Sequence, residues 1–466
     1  MGGMPSPLGR QSGSRAPRGR VGVTVELGAF CYNGRARRPR RPRIGSRREL
    51  APVGRVAQAT RWKSPSARAT RRSPLAVAAL ALLVYGLWTV SFFAGGHDAR
   101  DLTFMGLRLL SQSHASSVIT IDPHYHYYPN DIGYDGQYCY YIALDPINAR
   151  YYMDWPAYRY TRILYPMAAR LLALGQPALI PYTLLLLNWL AIGGGTAIVA
   201  AWLKRRGVSP WLALVYAFYP GLFIAYQHDL SEPLAYGLVA LGVYLYDFGD
   251  RRRLLTAGVA FGLAALTRET TAVFALMYAA AALLVDGRQD ASWLARMRAN
   301  WRPALTLAGL TLGPLAVYKC FLWLWLGSAG VPAGVLPEIV PFGGLIALWP
   351  WNSQQIMGML TVVAPAMISA AAALFALRRG VRGAQLAILL AHALLFVVML
   401  PYSTYYDIYS TTRVAAGVML AALYCVPFID RATGKNRTWL LASAGLWLAL
   451  LPWVLATNFF YWTRAG

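Results

Sequence analysis

Apolar runs of about twenty residues recur along most of this chain, and they constrain its fold more than any other feature. A helix needs roughly 20 residues to cross the hydrocarbon of a bilayer. Backbone polar groups have no water partners there, so such runs are expected to be helical. Eleven runs stand out: about 75–94, 179–203, 208–226, 232–249, 254–267, 269–286, 303–326, 355–377, 384–401, 413–428 and 438–456. The expected fold class is therefore all-α, a polytopic transmembrane helical bundle. The two short runs, 254–267 and 269–286, read as a broken hairpin meeting at Thr267-Arg268-Glu269. Only 14% of the residues are charged and 57% are hydrophobic, against about 25% charged in a soluble domain.

Lys and Arg are unevenly placed between the runs. Arg71/Arg72, Lys204 to Arg206, Arg251 to Arg253, Arg288 to Arg302, Arg378 to Arg382 and Arg431 to Arg437 fall on alternate connections. Connections 227–231, 327–354 and 402–412 contain neither residue. The positive-inside rule then predicts a cytoplasmic N-terminus and an outward-facing 95–178 loop.

The net charge of +25 is concentrated at one end. Seventeen arginines and Lys63 stand against Glu26 and Glu49 in residues 1–74, a local excess of +16. Gly, Pro, Ser and Arg dominate this stretch without apolar period, which reads as a basic disordered tail rather than a nucleic-acid module. No nucleic-acid partner is expected; the lipid bilayer is. Cys31, Cys139, Cys320 and Cys425 show no metal-type spacing, and Cys320 and Cys425 read as packing residues.

The 95–178 loop carries the polar chemistry. Leu102–Ser111, Asp135–Leu144 and Arg162–Leu174 read as short helices, the last with an apolar face opposite Arg170, as in interfacial helices. The loop contains Asp98, Asp101, Asp122, Asp131, Asp135, Asp145 and Asp154, with His97, His114, His124 and His126. Asp135 differs from the other acids because it opens a helical stretch with Tyr138 and Ile142 on the same face. It is either an N-cap or a partly buried carboxylate made a better proton acceptor by burial.

The segment Asp135-Gly-Gln-Tyr-Cys-Tyr-Tyr-Ile-Ala143 resembles the first-loop motif of GT-C glycosyltransferases, and Arg162-Ile-Leu-Tyr-Pro166 resembles the stretch just beyond that motif in bacterial members. A further likeness runs through Trp211–Thr267 to Thr267-Arg268, so that it covers about 75–290. Gly136 departs from the pattern, because a second acid is common there. The resemblance implies an enzyme that moves a monosaccharide from a polyprenyl-phosphate donor to a glycan, lipid or protein acceptor, and the Arg- and Ala-rich composition suits a bacterium, which places the site on the periplasmic face of the inner membrane. The resemblance also implies inversion at the anomeric carbon, with Asp135 as the base.

A phosphate leaving without a metal needs cations. Arg268, Lys319 and Arg413 are the candidates set in apolar runs. For Lys319 the alternative is snorkelling, for Arg413 anchoring, and for Arg268 an ion pair with adjacent Glu269 or with nearby acids. Gln137, Tyr138, His228, Asp229, Glu232, Glu269 and Tyr405 are the candidate substrate-binding residues. His228, Asp229 and Glu232 also admit a divalent metal, but their spacing is generic, and no cofactor is indicated. Trp349 and Trp351 suit an interface. The rival reading is a transporter or flippase of a lipid-linked glycan, which predicts polar residues through the midplane and an internal repeat.

Overall fold

The computed structural model describes residues 73–125, 127–128, 132–249, 251–284, 293–329 and 336–456. The basic tail, but for its last two residues, lies outside the described residues, as do His126, Asp131, Arg288 and Pro332. Among the described residues the chain is helical, without strands. Six helices are long and apolar enough to cross a membrane, and Arg253–Thr267, Glu269–Leu284 and Ala384–Val398 are apolar but shorter.

The first long helix, α1 (Pro74–Ala94), starts where Ser73 accepts a hydrogen bond from the Leu75 N–H and proline occupies the first turn. The loop helices α2 (Gly136–Leu144), α3 (Pro156–Tyr160) and α4 (Leu164–Leu172) come next. Then come α5 (Ile180–Arg205), α6 (Pro220–Gln227), α7 (Glu232–Phe248), α8 (Arg251–Thr267), α9 (Ala272–Leu284) and α10 (Trp293–Leu326). The bundle ends with α11 (Ser353–Arg378), α12 (Ala384–Val398), α13 (Ile408–Thr433) and α14 (Thr438–Ala456).

Helix α13 is the centre of the bundle. Its apolar window is 94% buried, against 22–50% for the other five long helices. It packs against α11 and α12 and, through its first turns, against α6. Helix α5 lies between α1 and α7, and α10 lies along both α8 and α9. Leu75, Leu83 and Leu87 of α1 and Val317, Trp323 and Leu324 of α10 point out of the bundle, as side chains facing lipid do. At one end, Asp247 Oδ2 accepts hydrogen bonds from Trp202 Nε1 at 2.8 Å and Gln385 Nε2 at 2.9 Å, and pairs with Arg206 Nη2 at 3.2 Å. This single carboxylate ties α5, α7 and α12 together.

Several expectations need correction. The run 208–226 is not one helix. It is Ala213–Ala217 and α6, separated at Phe218-Tyr219. Pro220 disfavours helical backbone at the residue before it, and Tyr219 is extended with ψ 123°. Leu102–Ser111 forms only a 3-10 turn at Asp101–Thr103 and a short helix at Leu107–Leu110, interrupted by left-handed Phe104. Arg170 does not face away from the protein: its Nη1 donates to the carbonyls of Ala143 and Leu144, both at 2.7 Å, closing the C-terminus of α2. Cys425 is buried, as a packing residue should be, but Cys320 is exposed.

Candidate functional site

Asp135 immediately precedes α2 and makes no capping hydrogen bond. Its carboxylate turns instead to two arginines. Arg159 Nη1 donates to Oδ1 at 2.8 Å, and Arg413 Nη2 donates to Oδ2 at 3.0 Å. The N-cap reading therefore does not describe this residue. The expectation of enhanced basicity is corrected too. Burial does push the acid up, but the charges of Arg159, Arg413 and Arg162 outweigh it and hold Asp135 well below the usual carboxylate range.

Gly136 leaves no room for a second acid beside Asp135. A Cβ at this position would lie 2.0 Å from the His228 carbonyl oxygen. The first turn of α2 is pressed against the α6–α7 connection, and only a residue without a side chain lets it come so close.

Arg159 reaches Asp135 from α3. It is also held by Asp154, with Nε at 2.9 Å and Nη2 at 2.8 Å from the two oxygens. Its guanidinium lies 4.2 Å from the centre of the Tyr138 ring. Tyr138 thus supports the cation through its ring face.

Arg413 engages three partners with three nitrogens. Nε donates to Glu232 Oε1 at 2.8 Å and Nη1 to the Tyr134 hydroxyl at 2.7 Å, while Nη2 holds Asp135. Glu232 Oε1 also accepts from Arg268 Nη1 at 2.7 Å. The side chains of Glu232, Arg268 and Arg413 are 1%, 4% and 4% exposed, so this is a desolvated network. Charges so buried persist only when their partners and geometry compensate the desolvation.

The backbone brings these groups together at element ends. Glu232 is the first residue of α7. Arg268 is extended, with φ −156° and ψ 113°, between α8 and the turn before α9. Arg413 sits in the first turns of α13, whose start is capped by Asp407 through the N–H groups of Tyr409 and Ser410. The result is a continuous chain, Asp135–Arg413–Glu232–Arg268. Arg268 therefore pairs with Glu232 and not with its neighbour Glu269.

Arg162 stands beside this chain. Its Nη2 donates to the Tyr158 hydroxyl at 2.6 Å, and its Nε lies 4.0 Å from Glu269 Oε2. Arg162 Nε, Arg268 Nε and Glu269 Oε2 are buried without a hydrogen-bond partner. Two guanidinium groups therefore keep unused N–H donors, the equipment for holding an oxyanion.

The remaining candidates are placed differently. Gln137 is fully engaged in shaping the loop: Oε1 accepts from the Gly106 N–H at 3.1 Å and Nε2 donates to the Ile132 carbonyl at 2.8 Å. Tyr405 is buried and donates its hydroxyl to the Val397 carbonyl, so it packs the wall instead of lining an opening. Lys319 is half-buried on α10 and makes no ion pair among the described residues. It is not joined to the arginine network.

His228 is buried, with its ring 4.2 Å from that of Phe104 and 4.9 Å from that of Tyr134. Burial lowers its pKa to about 4, so the imidazole is neutral and Nδ1 donates to the Ile224 carbonyl at 2.8 Å. Asp229 is fully buried in a left-handed conformation, φ 47°, and neither carboxylate oxygen has a hydrogen-bond partner. Burial raises its pKa well above the ordinary value. With Glu232 taken by arginines, His228, Asp229 and Glu232 do not form a ligand set. Among the described residues no three His, Cys, Asp or Glu side chains converge as metal ligands.

Sequence reasoning missed Arg159 and Tyr134 and gave Asp407 no role. Arg159 and Arg162 are three residues apart, the spacing that puts two cations on one helix face, and they lie just before the Ile-Leu-Tyr-Pro phrase. That signal was present in the sequence. Tyr134 had only its adjacency to Asp135. No protein-family model, no curated protein and no solved structure matches the chain.

Proposed function

We propose that this chain is a membrane glycosyltransferase of GT-C type, moving a monosaccharide from a polyprenyl-phosphate donor to an acceptor hydroxyl. The observation that carries this reading is the arginine network converging on one loop carboxylate. Asp135 is joined to Arg159 and Arg413, and through Glu232 to Arg268. In this reading the bundle crosses the bacterial inner membrane about eleven times, with the tail cytoplasmic and Asp135 outward. The alternation of Lys and Arg between the apolar runs supports that orientation.

The ion pairs give Asp135 a role that depends on the donor. Alone, the carboxylate is held by arginines and is a poor base. A donor phosphate entering the cluster takes up guanidinium donors, among them the unused ones of Arg162 and Arg268. The donor's negative charge then offsets the arginines' hold on Asp135, and its proton affinity rises. The acceptor hydroxyl gives its proton to Asp135 as its oxygen attacks the anomeric carbon. The bond from that carbon to the phosphate oxygen breaks, and the phosphate departs with the electron pair, inverting the centre. Arginines aimed at the departing oxygens stabilise the charge that develops there.

An enzyme is favoured over a flippase because Arg159 and Arg413, and Arg268 through Glu232, gather around one loop carboxylate, Asp135. The proposal is tested in membranes supplied with polyprenyl-phosphate monosaccharides. Asp135→Asn should abolish transfer while the protein remains folded and inserted. Arg162→Gln should raise the donor concentration needed for half-maximal rate more than the acceptor concentration. A folded Asp135→Asn protein transferring sugar at the parental rate ends the proposal.

A further inference from the structure

The opposite face of α2 lines a cavity of about 160 Å³. Tyr140 and Leu144 contribute to it, and they project away from the face that carries Asp135 and Tyr138. The volume is small: sites for drug-sized ligands usually measure about 300–1,000 Å³. The cavity therefore suits one compact unit rather than an extended chain or a lipid.

Its chemistry is two-sided. Met105 and Ile119 form an apolar wall. Arg100, Asp122, Tyr127 and Tyr140 form a polar rim. The rim is pre-ordered: Arg100 Nη1 donates to Asp122 Oδ2 at 2.6 Å, and the Tyr127 hydroxyl accepts from the Asp122 N–H at 2.8 Å, which leaves its own O–H to donate. Arg100 is further fixed by Asp98 at 3.2 Å. The Tyr140 hydroxyl has no hydrogen-bond partner among the described residues, although the side chain is only 9% exposed. That hydroxyl is therefore available to a ligand hydroxyl as donor or acceptor.

We infer that this cavity binds a single neutral sugar ring, separately from the arginine site. A sugar ring has an apolar C–H face for Met105 and Ile119 and a hydroxyl rim that both donates and accepts. The Arg100–Asp122 pair and the two tyrosine hydroxyls offer both functions within one small volume. A phosphate or carboxylate ligand fits less well, because Arg100 is already neutralised by two aspartates. The inference does not rest on sugar transfer at Asp135; it concerns binding only, and turnover is not needed to test it.

The test is saturation-transfer NMR on the full chain in lipid nanodiscs, probed with the methyl glycosides of glucose, galactose, mannose and arabinose. At least one glycoside should receive saturation. Val118→Trp, which puts a large ring at an exposed lining position, should abolish the signal. Tyr140→Phe should weaken binding about tenfold, the effect of losing one well-made hydrogen bond. Asp135→Asn should leave the signal unchanged. Absence of signal for all four glycosides overturns the inference. So does a signal that survives both Val118→Trp and Tyr140→Phe, or one lost only in Asp135→Asn, which would place the sugar at the arginine site. Melting temperatures of the variants establish that each is folded.

Discussion

Asp135 and Arg413 are 278 residues apart in sequence and meet at 3.0 Å. One belongs to the loop after the first helix and the other to the central helix of the bundle. The contact therefore fixes the loop over the bundle, and it does so with a charge that is almost wholly desolvated on the Arg413 side.

Arg413→Ala should be among the most destabilising single changes in this protein. It strips Glu232, Asp135 and Tyr134 of one donor each at once. Removing one partner of a buried ion pair costs about 3–5 kcal/mol, because the opposite charge stays buried. Arg413→Lys should recover little, since one ammonium cannot reproduce a fork spread over three acceptors. Thermal unfolding of the detergent-purified protein measures both. A double-mutant cycle with Asp135→Asn should show non-additivity, and simple additivity would mean that the two side chains do not interact.

The pH dependence of stability should carry opposite signatures from Asp135 and Asp229. Asp135 has a folded-state pKa below its ordinary value. Its contribution is present above the unfolded pKa and is lost as pH falls through the folded value. Wild-type protein should therefore lose stability as pH falls below about 4, with a slope of up to about 1.4 kcal/mol per pH unit from this group, and Asp135→Asn should flatten that slope. Melting curves across this range decide it; identical slopes remove the linkage.

For Asp229 the sign reverses. Its folded-state pKa is raised, by burial. The stability it contributes is present below the unfolded pKa and falls away as pH rises towards the folded value. Asp229→Asn mimics the neutral acid and also suits the left-handed backbone at this position, where Asn is tolerated. The variant should match wild type near pH 4 and exceed it at pH 8. A variant less stable than wild type at pH 8 would show that the carboxylate is ionised and partnered.

Much of the bundle is legible in the sequence because apolar length and end chemistry coincide. Ser73-Pro74 before an unbroken apolar run specifies α1 completely. The broken passage at Phe218-Tyr219-Pro220 is less visible, because hydrophobicity continues across the break while the backbone does not. Asp135 can be singled out locally, since it opens a helix with one face in the protein. Its partners cannot. Arg413 comes from a distant helix, and Arg159 from a loop segment whose placement depends on Asp154 and Tyr138. Periodicity likewise says that Gln137 lies on a helix, but not that its amide turns back to Gly106 and Ile132. The direction of a polar side chain is decided by which backbone groups the folded loop leaves unsatisfied.

Gly136 gives the sharpest steric test of how the site is assembled. The His228 carbonyl oxygen is 2.0 Å from where a Cβ would stand, and the Thr103 carbonyl oxygen is 3.1 Å away. Neither neighbour is a flexible side-chain end, so the helix must move. Gly136→Ala should cost about 1–3 kcal/mol, the usual range for overpacking a filled interior. It should also draw Asp135 away from Arg413, because the two adjacent residues share one rigid turn. Gly136→Glu, which adds a second acid beside Asp135, should be worse than alanine rather than better. Thermal melts rank the three proteins. Wild-type stability for Gly136→Glu would mean that the first turn of α2 does not press on the His228 carbonyl, and the geometry built on that contact would fail with it.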